Sequence, residues 1–402
     1  PRIRRGHRLR CTGVLHPIPE QPPEAEGGDG FLDYLKGIGV HHRLERAHLD
    51  TILAPPPPFP DFCNRTNQRF RRILRLGAPE DTGLANVYLA MLLGRKIELT
   101  SDQRERYRLS GTMHFFAISG LHIGVIATVI AQFLRLARVP RQVSPLIGLP
   151  LLFLYVEITG GTPSATRAFL MAAFFWAAIA FRRQRFPLAA LAGSAVFVLA
   201  VQPGQLQSLG FQLSYAVVLS ILLFGMPLYA FLKDRLTPYR YRPEADLGNL
   251  RQAARKGTDT LCLLFAISLS AWLASAPLCA ALFGYISPGA ILLNMVLVNL
   301  AALPIVTGII ALAAALLLAP VAAFLNHAAW VTLAMMDGLV AHASRIPGYL
   351  TLCEDFPVPL GYGTLIAYFA LVGWLATRPV PPGARLFCLP PALVGVLLIA
   401  GL

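Results

Sequence analysis

Charge is scarce in this sequence, and acid is scarcer still. Only 14% of the 402 residues are charged, with 21 Asp and Glu against 35 Lys and Arg, a formal net charge of +14. An ordinary soluble domain carries about 25% charged residues, so this chain cannot clothe a water-facing surface of normal polarity. Cysteine is sparse too: Cys11, Cys63, Cys262, Cys279, Cys353 and Cys388 form no CxxC and have no histidine at ligand spacing, which argues against structural zinc. Cys11 and Cys63 lie in the polar N-terminal part and could pair outside a cell, although lone thiols are the simpler reading. No Walker motif is present, since "GRKIEL" at 94–99 lacks the glycine and hydroxyl pattern of a phosphate loop. The opening "PRIRRGHRLR" has no apolar signal region, so the sequence reads as starting part-way through a domain.

Apolar residues are what the sequence has in quantity. They make up 55% of the chain, the mean hydropathy is +0.57, and they gather into runs long enough to cross a bilayer. A mainly α polytopic membrane protein is expected. Its basic residues must then crowd into the few polar segments, which favours anionic partners, meaning lipid headgroups or nucleic acid.

Three regions follow from the pattern. Residues 1–54 alternate apolar and polar in "HRLRCTGVLH" and "HRLERAHLDTIL" around the loop "PEQPPEAEGGDG", which predicts a small, incomplete external β-domain. Residues 55–109 begin with "PPPPFP", a stiff extended linker. They continue as an interfacial amphipathic helix carrying Arg65, Arg69, Arg71, Arg72 and Arg75, and "LANVYLAMLLGRKIELTSDQRERYR" extends this as helices lying on the bilayer or on the bundle, a reading favoured over a true span. Residues 110–402 form the membrane domain, with about ten spans near 113–134, 144–159, 165–181, 187–202, 209–232, 260–283, 289–319, 321–343, 360–377 and 385–402. The 289–319 stretch is too long for one crossing and contains Asn294, Asn299 and Pro304, so a broken or re-entrant helix is expected there.

Arginine and lysine cluster in the loops after the first, third, fifth and ninth spans. All of these loops fall on one side, which the positive-inside rule makes cytoplasmic, leaving both ends of the chain and the 65–75 arginines outside. An external basic helix can meet either lipid phosphates or an external polyanion.

Ionisable and polar groups within spans are costly and point to a cavity or a partner. Here they are His114, Ser119, His122, Glu157, Arg167, Gln212, Ser214, Asn294, Asn299, His327 and Asp337, spread over many spans as an aqueous path would require. On one helix His114 and His122 would stand about 80° apart, which does not suit a helical metal site. Ser119 and His122 are three apart, as a nucleophile and base could be, but no hydrolase elbow surrounds them, and Gly120 and Gly124 have the GxxxG spacing of close helix packing. Catalysis, packing with cap hydrogen bonds, and pore lining all stay open for this segment. Arg167 follows the turn "TGGTPSATRAFLMA" and would either snorkel to headgroups or donate to a phosphate. In "SLGFQLSYAVVLSILLFG", Ser208, Gln212 and Tyr215 would form a polar stripe.

The ordered segments "GTMHFFAISGLHIGVIA", "GTPSATRAFLMA", "LGFQLSYAVVLSI" and "SPGAILLNMVLVNLAALPIV" resemble the membrane core of the ComEC-type competence proteins, from about residue 80 onward. "GGDGFLDYLKGIGVHHRL" resembles that family's external OB-like domain. The resemblance implies an inner-membrane channel for single-stranded transforming DNA, with an OB-like part suited to single strands. His114, Ser119, His122, Arg167, Gln212, Ser214, Asn294 and Asn299 are then the expected path-lining residues, and Arg65, Arg69, Arg71, Arg72 and Arg75 the expected external DNA contacts. Expected partners are single-stranded DNA, membrane lipids, a cytosolic helicase or strand-binding protein that supplies the driving force, and external DNA-receptor or pilus-associated components. No cofactor or metal is expected. The chain has no HxHxDH-like motif of the β-lactamase-like domain found in many relatives, so no nuclease activity is expected of it. Two rival readings stay open: a secondary transporter of a small anion relaying protons through Glu157, Asp337 and the histidines, and an intramembrane hydrolase centred on Ser119 and His122.

Overall fold

A computed structural model describes residues 5–17, 40–79, 83–95, 98–181, 186–238, 248–315, 318–343, 345–346, 348–353, 355–377 and 384–402. Strands β1 (Arg8–Pro17) and β2 (His42–Ala54) precede the helices α1 (Pro58–Leu74), α2 (Leu84–Leu93) and α3 (Ser101–Leu109). A 3-10 turn at Met113–Phe116 leads to α4 (Gly120–Leu136), α5 (Ser144–Ile158), α6 (Pro163–Ala180) and α7 (Pro187–Val201). After these come α8 (Leu209–Ser220), a π turn at Ile221–Gly225, α9 (Met226–Leu236), α10 (Asn249–Phe283) and β3 (Tyr285–Ile286). The chain closes with α11 (Ala290–Ala314), α12 (Ala319–Ala343), β4 (Thr351–Leu352), α13 (Val358–Ala376), α14 (Ala384–Phe387) and α15 (Leu389–Gly401).

Helices occupy all ten expected span positions, but they fall into two length classes. Among the described residues, six segments are long and apolar enough to cross a membrane: α6, the continuous α8–α9 run over Leu209–Leu236, α10, α11, α12 and α13. The helices α4, α5, α7 and α15 are apolar but shorter. At about 1.5 Å per residue a 15-residue helix covers roughly 22 Å, against about 30 Å of hydrocarbon.

Packing divides the chain into two compact units. The first comprises Pro1–Ser101, His114–Gln212 and Ala301–Met335. Its ribbon pairs β1 and β2 antiparallel, from Arg8 opposite Ala54 to Pro17 opposite His42, with three register irregularities. Val14, Leu15, Leu44 and Leu53 on it remain exposed, and a lone two-stranded ribbon is marginal in water. Most of the segment that resembles an OB-like domain, 27–39, lies outside the described residues, as does the loop at 19–30.

The proline run is shorter as a linker than expected. Pro57 is extended, with φ −55° and ψ 158°, but Pro58 already opens α1. Proline suits this first position because its fixed φ is helical and its missing N–H has no partner there. The expectation for α2 is corrected more strongly. Left-handed Gly83 and Gly94 flank it, and Val87 to Leu92 are completely buried. A helix that is apolar all round belongs in a core, and α2 is the centre of this unit, not a surface helix. Tyr155 Oη donates to Leu92 O at 2.6 Å, and the Tyr88 and Trp330 rings meet edge to face at 5.0 Å.

The second unit comprises Asp102–Met113, Leu213–Leu300 and Met336–Leu402. Its core gathers Phe224, Leu228, Leu273, Tyr368, Phe387 and Leu398. Ser220, just before the π turn, bonds Ser270 O at 2.7 Å and Tyr368 Oη at 2.6 Å, so this polar group in an apolar run is satisfied by two neighbouring helices. The short strands β3 and β4 pair antiparallel, Tyr285 with Leu352 and Ile286 with Thr351. The expected break at Pro304 is absent: α11 runs unbroken through it from Ala290 to Ala314, and residues 316–317 lie outside the described residues. Proline deletes one helical hydrogen bond, and neighbouring packing in membrane helices can absorb that loss without a break.

Candidate functional site

The basic segment is helical, as part of α1, and its arginines divide into two sets. Phe62, Arg65, Arg69 and Arg72 are exposed on one face of α1, whereas Cys63, Ile73 and Leu74 are buried opposite. Burial pushes the Cys63 thiol up. Arg65 is held by Asp61 at 2.5 Å, one turn away. Glu98 gathers three guanidiniums, Arg71 at 2.6 Å and Arg75 and Arg95 at 3.5 Å. One carboxylate cannot neutralise three arginines, so the cluster keeps a surplus of positive charge, to which exposed Arg69 and Arg72 add. Sequence reasoning missed Glu98 and Arg95, although a lone acid within "GRKIEL" was their available signal.

A second polar site adjoins α1. Arg5 pairs with Glu157 of α5 at 3.2 Å, Asn64 Nδ2 donates to Arg5 O at 3.0 Å, and Asn67 Nδ2 donates to Ile158 O at 2.8 Å. These groups line a cavity of about 180 Å³. The chain leaves it through Gly160 and Gly161, whose φ values of 106° and 60° require glycine. Glu157 is thereby committed to an ion pair, which weakens its expected part in a proton relay.

The segment around Ser119 and His122 is not one helix. His114 lies exposed on the 3-10 turn, its ring against Phe115 at 4.3 Å, and α4 starts only at Gly120 with Ser119 as its N-cap. His122 is therefore in the first turn of α4, and the helical angle between the two histidines has no meaning. The Ser119 N–H donates to His122 Nδ1 at 3.3 Å, and Ser119 Oγ lies 3.2 Å from the same nitrogen. This is a capping box with histidine in the place usually taken by Glu or Gln. His122 is 0% exposed, and its Nε2 has no hydrogen-bond partner among the described residues. A Cβ added at Gly120 or Gly124 would meet nothing within 4 Å, so this GxxxG pair mediates no close packing.

Arg167 is buried, 5% exposed, and its Nη2 donates to Gly210 O at 2.8 Å. It thus neither snorkels nor projects outward; it holds a carbonyl in the first turn of α8. Gln212 turns back on its own chain, donating to Leu206 O at 3.1 Å, which removes it from the expected stripe with Ser208 and Tyr215. The helix bearing His122 packs on the one bearing Arg167, but no direct bond joins the two side chains among the described residues.

In the second unit, Ser214 and Asn294 are half-buried, and Asn294 Oδ1 has no partner among the described residues. Asn299 is exposed, its Nδ2 bonded to Met295 O at 3.3 Å. Asp337 pairs with Arg106 at 3.5 Å, next to fully buried Tyr107. On the same helix, α3, a hydrogen bond from Arg108 holds Glu105 below the usual carboxylate range.

Two polar networks carry no sequence motif. In the first unit, Asn326, 0% exposed, donates to Ile73 O at 2.8 Å and Leu76 O at 3.1 Å, tying α12 to the end of α1. Its neighbour His327, the more conspicuous residue in the sequence, only bonds Ala323 O one turn back. In the second unit, Tyr349 Oη donates to Ser110 O at 2.8 Å, Ser287 Oγ donates to Tyr349 O at 3.3 Å, and Trp272 Nε1 donates to Ser287 O at 3.0 Å. Ser110 and Thr112 hydroxyls lie 2.5 Å apart. Both networks join residues more than a hundred positions apart, which no local pattern announces.

A family model described as "Competence protein" matches residues 91–379. ComE operon protein 3 of Bacillus subtilis (strain 168) is 28% identical over 227 residues, covering 55% of this chain and 28% of that protein. The chain therefore spans only a fraction of the length of that relative. No solved structure matches. No disulfide joins any of the six cysteines, and no group of three or more potential metal ligands occurs among the described residues.

Proposed function

The chain belongs to the competence protein family, and from that premise we propose that it is the membrane core of a channel passing single-stranded DNA into the cytoplasm of a bacterium during natural competence. The observation that carries this reading is the surplus positive charge on α1 beside a bundle of apolar helices. Phosphates are drawn to such a surface without regard to sequence, which is what uptake of arbitrary DNA requires. We place α1 and the β1–β2 ribbon, as part of an OB-like domain, on the external face of the cytoplasmic membrane. The basic loops after α4, α6, α9 and α13 face the cytoplasm.

In this reading Arg69 and Arg72 make the first phosphate contacts, backed by the Arg71, Arg75 and Arg95 cluster on Glu98. His114, Ser119 and Gln212 of the first unit line the passage. Buried His122 and Arg167 shape its walls: one fixes the start of α4, the other the start of α8. The domain transports and carries out no chemistry on the strand. Helicase or strand-binding partners in the cytosol pull, and receptor or pilus-associated components deliver outside. The transporter reading loses support because Glu157 and Asp337 are each paired with an arginine.

The test is uptake of labelled DNA by competent cells carrying Arg69→Ala with Arg72→Ala, Gln212→Ala or His114→Ala, with the amount of protein in the membrane measured. Uptake should fall in each. Normal uptake in all three would sink the channel reading.

A further inference from the structure

In the second unit an open groove of about 560 Å³ lies between α10 and α11. Its lining changes character along its length. Lys256, Gly257 and Thr260 form one end, and Leu261, Leu264, Met295, Val296 and Leu300 form the rest, with Asn299 among them. Along α10 this change coincides with the end of the charged stretch "RQAARKGTDT" and the start of "LCLLFAISLS". That is where a helix passes from headgroups into hydrocarbon.

Two further features mark the groove. Lys256 is exposed and has no ion-pair partner among the described residues, and Gly257 beside it has nothing within 4 Å of an added Cβ, which keeps this end of the groove open. Leu292, Val296 and Asn299 are exposed at one-turn intervals along α11. A carboxamide in an apolar, lipid-facing row is costly unless a polar group meets it. Asn299 uses only one amide hydrogen, on Met295 O, and keeps another donor and its oxygen.

We propose that this groove holds one anionic phospholipid, with its phosphate on Lys256, an ester carbonyl or headgroup hydroxyl on Asn299, and an acyl chain along Leu261, Leu264 and Val296. Charge complementarity selects this occupant: the one cationic group stands at the headgroup end, and everything below it is apolar apart from Asn299. The inference rests on the membrane character of the helices, not on DNA passage, and it moves Asn299 from the passage to the lipid face.

The full chain, purified in detergent, is exposed to phosphatidylglycerol or phosphatidylcholine of identical acyl chains, and bound lipid is counted by native mass spectrometry. One phosphatidylglycerol should be retained in preference to phosphatidylcholine. Lys256→Glu should weaken that retention about ten-fold or more, equivalent to about 1.4 kcal/mol, and Leu264→Trp, which fills the apolar part, should weaken it as well. Arg135→Ala, at an exposed arginine elsewhere, should leave it unchanged, and a single melting transition in each variant checks folding. Equal retention of the two lipids, or equal loss in Arg135→Ala, would overturn the proposal. So would full retention in Leu264→Trp, which would reduce the interaction to surface charge. Displacement of the lipid from wild type by a single-stranded oligonucleotide that Lys256→Glu fails to bind would assign Lys256 to DNA and overturn the proposal. Since neither lipid retention nor its loss depends on DNA uptake, failure here leaves the channel reading standing.

Discussion

The Ser119–His122 cap in the first unit and the Ser110–Ser287–Tyr349 network in the second are both polar clusters in apolar surroundings, yet they are built on opposite scales. The cap joins residues three apart and fixes where one helix begins. The network joins residues 239 positions apart, and fixes how a turn after α3, the loop before α11 and the loop after α12 lie together. Removing a local cap should loosen one helix end, whereas disturbing the network should loosen the unit. Conspicuous residues in a sequence are therefore not the ones that hold the most structure.

The sharpest test of that contrast is Gly289→Ala. A Cβ at Gly289 would overlap the Tyr349 ring, and the ring cannot swing away without giving up its bond to Ser110 O. Overpacking of this kind costs about 1–3 kcal/mol, so the purified protein should melt several degrees lower. An unchanged melting temperature would mean that Tyr349 is loosely held and the contrast is false. Tyr349→Phe keeps the packing and removes only the donor. Hydrogen bonds between membrane helices contribute about 0.6 kcal/mol on average, and a buried acceptor left alone costs about 1–3 kcal/mol. A destabilisation of about 1 kcal/mol in the same melting experiment is expected, smaller than that of Gly289→Ala.

For the cap the expected signature is different in kind. His122→Ala should cost about 1 kcal/mol, and it should show as faster amide exchange confined to residues near 119–124. His122→Gln should restore protection, because glutamine at this position can take the same N–H. Exchange that quickens throughout the unit, or fails to recover with glutamine, would show that His122 acts through its packed ring instead of through the cap.

These differences also explain what could be read from the sequence. The helices at the expected span positions followed from hydropathy because each is a predominantly apolar run. The α1 stripe followed because Arg65, Arg69 and Arg72 recur at helical intervals. Features that depend on distant partners did not follow. Nothing near Asn326 distinguishes it from His327; its role comes from the Ile73 and Leu76 carbonyls, some 250 residues earlier, and from the Tyr88 hydroxyl that donates to its Oδ1. Arg167 looked like an outward-facing donor because its acceptor, Gly210 O, is a backbone atom that a sequence does not display. Pro304 looked like a break because local propensity ignores the packing around a long helix.

The smallest effect on stability and the most informative on function belongs to α1. Arg69 and Arg72 are exposed with no ion pair among the described residues, so Arg69→Ala with Arg72→Ala should change stability by no more than about 0.5 kcal/mol. Single-stranded DNA affinity of the full chain should nevertheless weaken, and its slope against the logarithm of salt should shrink by about 0.7 for each phosphate that is no longer neutralised. Glu98→Gln should act in the opposite direction. It keeps an acceptor for Arg71 but removes the one negative charge shared by three arginines, so binding should tighten and the slope should steepen. If Glu98→Gln and the double alanine variant move the slope the same way, the cluster is a structural clasp, and the electrostatic distinction between α1 and the buried networks fails.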